Sequence, residues 1–96
     1  MNIKENDVLK VSGDMIVEVA SALSSKTRLE ILKNVRDKEV DVEELADIIK
    51  QSKANVSAQL RILEKSGLIK TIYKPGIRGV KKICTSSIKE IVFIIE

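Results

Sequence analysis

Ninety-six residues suffice for one modest hydrophobic core and not for two, and 44% apolar against 32% charged residues marks a globular chain rather than a disordered one. Tyr73 and Phe93 are the only aromatic residues, too few for base stacking on single-stranded nucleic acid. The net charge of +3 conceals an asymmetry of −4 over residues 1–49, +8 over residues 50–82 and −1 over residues 83–96, which suggests a side that faces a polyanion.

Residues 1–13 are polar and mixed and read as an N-terminal arm, or as a short strand at "VLKV". A first helix is predicted from Asp14 to about Leu23, with Met15, Ile16, Val19, Ala20 and Leu23 on one stripe. Ser24 and Ser25 offer a cap for a second helix, Lys26 to about Val35, whose apolar positions are Leu29, Ile31, Leu32 and Val35. After the charged connector "RDKEVDV", with a short extended piece at Val40, Asp41 and Glu44 form an aspartate version of the capping box. The helix they open carries Leu45, Ala46, Ile48 and Ile49. Ser52 caps a fourth helix, about 53–66, that ends at Gly67, where a positive φ is expected. Two short amphipathic helices separated by about three residues make a helix-turn-helix unit.

Beyond Gly67 the period changes. "LIKTIYK" and "VKKICT" are rich in β-branched residues and joined by "PGIRG", so they read as a hairpin with a long basic tip. The last segment, residues 85–96, is open between strand and helix. Ile88, Ile91, Val92 and Ile95 fit a helical stripe, whereas "IVFII" has high β-propensity; the strand is preferred. The fold class expected is mostly α with a small β-hairpin (α+β), a winged helix-turn-helix over residues 14–84.

The fourth helix has two unlike sides. At about 100° per residue, Val56, Leu60 and Leu63 fall together and face the preceding helices. Ala54, Ser57, Ala58, Arg61 and Lys65 fall opposite, with Asn55 and Gln59 on one flank. Small side chains permit close approach to a major groove. Asn and Gln pair with adenine and Arg with guanine, each good bidentate pair being worth about 1–3 kcal/mol of discrimination. Lys53 adds charge at a helix N-terminus, which favours phosphate. The same residues would also suit a solvated surface; their place between a turn and a basic hairpin favours the DNA reading. On the hairpin, Lys74 and Arg78, with Lys81 and Lys82 on the return strand, are placed to neutralise phosphates over a wing of about 73–82. Lys81 and Lys82 equally suit protection of a sheet edge.

"ALSSKTRLEIL" (Ala22 to Leu32) and "VEELADIIKQSKANVSAQLRILEKSGLIK" (Val42 to Lys70) resemble ArsR-type winged helix-turn-helix transcriptional regulators. In that family an "AL-x-x-x-TRL-x-IL" segment precedes the helix-turn-helix and "VS-x-x-L-x-x-L-x-x-x-GL" marks the recognition helix. Here these are Ala22, Leu23, Thr27, Arg28, Leu29, Ile31 and Leu32, then Val56, Ser57, Leu60, Leu63, Gly67 and Leu68. The wing "YKPGIRGVKKIC" is similar to that of small archaeal regulators related to this group. The resemblance implies a homodimer that reads a pseudo-palindrome in double-stranded DNA. The first helix (Met15, Ile16, Val19) and the apolar run Ile91 to Ile95 are the candidate dimerisation elements; each also suits a monomer core.

Many members sense metals through cysteines on the first helix of the helix-turn-helix, or through His and carboxylates on the last helix. The matching helix here, "VEELADIIK", has no cysteine, and the chain has no histidine. Cys84, the one cysteine, cannot form an internal disulfide or a soft-metal site within one subunit, and reads as a small buried hydrophobe, with redox sensing as the alternative. No catalytic spacing is present, so an enzyme is not expected, nor a metal or cofactor. No apolar run approaches the ~20 residues of a bilayer span, and "MNIKENDVLK" lacks a signal peptide's apolar run, so a cytoplasmic protein without membrane contact is expected. No effector motif is recognisable. The alternative from another class is a winged-helix protein-interaction module of transcription or chromosome machinery.

Overall fold

The computed structural model describes the backbone of residues 2–96 and the side chains of residues 6–96. Its first residues do not form a free arm. Strands β1 (Asn2–Glu5) and β2 (Val8–Ser12) make an antiparallel hairpin, turning through Asn6 at φ 56°, a left-handed conformation that asparagine tolerates. Strand β2 pairs on its other side, in parallel, with β6 (Glu90–Ile94), giving the order β1-β2-β6. The two-residue period of β2 places Leu9 and Val11 together in the core while Lys10 stays exposed. The β-propensity of "IVFII" therefore prevails over its helical stripe, because β2 supplies a pairing partner from the opposite end of the chain.

Four helices lie between these strands. In α1 (Met15–Ala22) Val19 and Ala22 are buried, with Met15, Ile16 and Leu23 packed beside them. Ala20, expected on that stripe, is exposed, one position off the apolar face. Helix α2 (Lys26–Val35) starts where Ser25 Oγ accepts from the Arg28 N–H at 3.3 Å, and buries Ile31 and Val35. Strand β3 (Val40–Asp41) leads into α3 (Val42–Ile49), where the Asp41 carboxylate accepts from the Glu43 N–H at 2.8 Å. The cap bond thus falls two residues on rather than at Glu44. Lys50, at φ 57°, ends α3 in a left-handed turn, and Ser52 Oγ accepts from the Asn55 N–H at 3.1 Å to open α4 (Lys53–Lys65). Gly67, at φ 81°, closes α4, with the Leu68 N–H returning to the Leu63 carbonyl at 2.9 Å.

Strands β4 (Lys70–Gly76) and β5 (Gly79–Thr85) pair through to Gly76 opposite Gly79, so the turn is only Ile77 and Arg78. The long tip expected around Pro75 is absent. Pro75 pairs with Val80 on the outer strand of the order β3-β5-β4, where a missing N–H costs no ladder bond to a further neighbour. Gly79 takes φ 114°, which side chains rarely adopt, and a Cβ on Gly76 would meet Lys81 Cγ at 2.9 Å.

Val56, Leu60 and Leu63 of α4 are fully buried against Ile31 and Val35 of α2, Leu45 of α3 and Leu68 after α4, in one cluster that also takes in β2. Ser86 ties the end of α2 to the segment after α4: its N–H donates to the Val35 carbonyl at 3.1 Å and its hydroxyl to the Leu68 carbonyl at 2.8 Å. Among the described residues no helix is long and apolar enough to cross a membrane.

Candidate nucleic-acid interface

Burial of Val56, Leu60 and Leu63 rotates the rest of α4 outward, so Ala54, Ala58, Arg61 and Lys65 are exposed as expected. Ser57 is half-buried because it faces a cleft of about 600 Å³ between α4, the start of α3 and the hairpin. Lys53, Arg78, Lys81 and Lys82 line the same cleft. Asn55 and Gln59 lie on the other flank, toward the junction of α1 and α2. The hairpin therefore runs along one side of α4 and the two carboxamides along the other.

Those carboxamides are not free surface groups. Arg28 Nη1 donates to Gln59 Oε1 at 2.7 Å, Gln59 Nε2 to Asn55 Oδ1 at 3.2 Å, and Asn55 Nδ2 to Gln51 Oε1 at 2.9 Å. Arg28 is itself anchored at the end of α1, by Nε to the Ala22 carbonyl at 2.6 Å and Nη2 to the Ser21 carbonyl at 3.2 Å. Sequence reasoning noted Arg28 only as part of a family motif and passed over Gln51. The spacing of 51, 55 and 59, four residues apart, was the one signal available for the latter.

The cations divide into two groups. Lys53 pairs with Glu43 at 2.8 Å, Lys81 lies 3.7 Å from Asp41, and Lys74 pairs closely with Glu39. The Glu43 hydrogen bond, with its charge, raises the Lys53 ammonium above its ordinary pKa. All three acids come from residues 1–49, so the fold sets anions against a segment that looked uncompensated along the chain. Arg61, Arg78 and Lys82 have no ion pair among the described residues. Glu64, the only acid between residues 50 and 82, accepts from the Thr71 hydroxyl. The sequence reading also overlooked Ile77, fully exposed at 102% beside Arg78 in the turn.

An outward helix, a cap-turn-cap connection before it and a two-stranded wing after it define a winged helix-turn-helix. Residues 25–71 match the model of the bacterial regulatory protein, arsR family. Residues 25–71 form an ArsR-family helix-turn-helix. Solved structures agree with this assignment. Reduced HlyU from Vibrio cholerae N16961 is 29% identical with a TM-score of 0.66, over 76% of this chain and 73% of that one. The homodimeric winged helix-turn-helix DNA-binding domain of a possible ArsR-family transcriptional regulator from Mycobacterium bovis is 26% identical with a TM-score of 0.67, over 77% of this chain and 65% of that one. No curated protein matches the chain.

Beyond the residues matched to the ArsR family, Cys84 sits on β5, opposite Val40 and Thr71, and is fully buried. Burial pushes its thiol up to about 11, against a smaller opposing pull from Lys82. A thiol so placed is a poor nucleophile. Among the described residues no three His, Cys, Asp or Glu side chains group in a way that could hold a metal.

Proposed function

We propose that the chain is a homodimeric, sequence-specific transcriptional regulator of double-stranded DNA. In this reading α4 enters the major groove and the β4–β5 hairpin lies on the phosphate backbone. The observation that carries it is the exposed face of α4 set beside the wing, with Arg61 of α4 and Arg78 and Lys82 of the wing outside any ion pair among the described residues. Arg61 reads a guanine and Asn55 an adenine, Ser57 and Gln59 support the same groove face, and Lys53, Lys74, Arg78, Lys81 and Lys82 meet phosphates. Dimerisation is supported by the homodimeric neighbour from M. bovis and by β6, an edge strand whose Val92, Phe93 and Ile94, with Ile95 just beyond it, are all at least 38% exposed. The protein acts in the compartment that holds its DNA, without catalysis and without a resident cofactor.

A second reading, a protein-interaction module, draws on a different observation. Ile77, Val80 and Tyr73 make the wing apolar as well as basic, and three of its neighbouring cations already have carboxylate partners.

Selection of bound sequences from random duplex DNA separates the two. The expected result is a pseudo-palindromic motif with half-sites roughly 34–36 Å apart, or a multiple of that. Arg61→Ala should relax preference at one base position, and Lys81→Ala should weaken all sequences alike. No enrichment would favour the protein partner, and a lone half-site would contradict the dimer.

A further inference from the structure

The direction of the hydrogen bonds beside α4 carries an inference that rests on the DNA reading above. A guanidinium only donates hydrogen bonds, so a carboxamide facing Arg28 must present its oxygen rather than its NH₂. Two of its nitrogens are held on the Ala22 and Ser21 carbonyls, which leaves Nη1 aimed at Gln59 and forces Oε1 of that residue inward. Gln59 then has only its NH₂ to offer Asn55, so Asn55 must turn Oδ1 toward Gln59 and Nδ2 toward Gln51. A flip of either amide would set N–H against N–H or oxygen against oxygen. The orientation of two symmetric-looking carboxamides is thus dictated from a neighbouring helix, 31 residues earlier in the chain than Gln59.

We propose that Arg28 is a positioning residue for base recognition: through Gln59 it fixes which way the Asn55 carboxamide presents its donor and acceptor, and so which base α4 prefers. Each amide oxygen has two lone pairs and each NH₂ two hydrogens. After the internal bonds Asn55 keeps one acceptor and one donor, the complement of adenine N6 and N7 in the major groove. Their order along the helix is set, donor toward Gln51 and acceptor toward Gln59. A freely turning Asn55 would offer both orders and lose that discrimination. Arg28 touches no base in this arrangement, and its link to the end of α1 makes the orientation depend on how α1 and α2 are packed.

Gln59→Glu tests this without disturbing the packing. The carboxylate still accepts from Arg28, with a stronger charge-assisted bond, but has no N–H for Asn55, which must then turn Nδ2 toward it. Bound sequences would be selected from random duplexes with the parent chain, Gln59→Glu and Arg28→Lys, which lacks the planar fork, alongside thermal denaturation of each. Expected for Gln59→Glu is an unchanged or higher melting midpoint with a changed base, or at least about tenfold weaker discrimination, at one position of each half-site. Arg28→Lys should lose discrimination at the same position. The new carboxylate's repulsion of DNA lowers affinity for all sequences and leaves the ratio between them untouched. A parent motif retained at full strength by Gln59→Glu overturns the role of Arg28 and leaves DNA reading intact. A parent chain that enriches no motif overturns both.

Discussion

Cys84 shows how placement decides the chemistry of a single side chain. Its thiol is fully buried between Val40 and Thr71 of the neighbouring strands, and keeps its proton up to about pH 11. In the unfolded chain the same thiol ionises near its ordinary value of about 8.5. The folded state therefore binds this proton more tightly, and the stability it contributes is complete below about pH 8.5 and is lost as the pH rises toward 11. Thermal denaturation of the parent chain and of Cys84→Ala should show the parent's advantage shrinking over that window. A constant difference would contradict the buried, protonated thiol. Its burial was legible in the sequence, since a lone cysteine amid β-branched residues is usually core. The tethering of Gln59 and Asn55 was not. Helical spacing placed both on one flank of α4, but nothing local announces that Arg28, a helix away in space, holds one of them.

At the scale of elements, the local signals were the readable ones. Ser25, Ser52 and Gly67 lie where a cap and a left-handed terminus were expected, because each depends on bonds within a few residues. Pairings between distant segments were not readable. The parallel contact of β2 with β6 joins the two ends of the chain, and a five-residue alternation cannot name its partner. The wing was readable as a hairpin, yet its tightness follows from ladder pairing that continues through Pro75. Its charge environment depends on elements that precede it. Glu39, Asp41 and Glu43, from the connector after α2 through the start of α3, reach Lys74, Lys81 and Lys53. The pairs of Lys53 and Lys74 are more than half exposed and hold the cations only weakly, so phosphates can exchange with the carboxylates, whereas the Asp41 partner of Lys81 is mostly covered. Glu43→Gln should strengthen duplex binding about two- to fivefold, the worth of one exposed pair, with little change in sequence preference. Titration by fluorescence anisotropy would measure it. Unchanged or weaker binding would mean that Lys53 does not meet the phosphates.

Across the whole molecule, the +8 of residues 50–82 is a one-dimensional quantity that folding partly redistributes. Asp41 and Glu43 line one edge of the wing cleft and Glu39 pairs with Lys74 on β4, while Arg61, Arg78 and Lys82 stay outside any ion pair among the described residues. In the proposed homodimer two such surfaces, joined through α1 or the apolar edge of β6, would span successive turns of a duplex and bring twice the number of cations to phosphate. The salt dependence of binding to a selected duplex measures that sum of cations most directly. With about 6–10 phosphates neutralised, the association constant should fall by ~10³–10⁵ between about 50 and 200 mM salt. Micromolar binding that is indifferent to salt over that range would contradict a DNA-gripping surface.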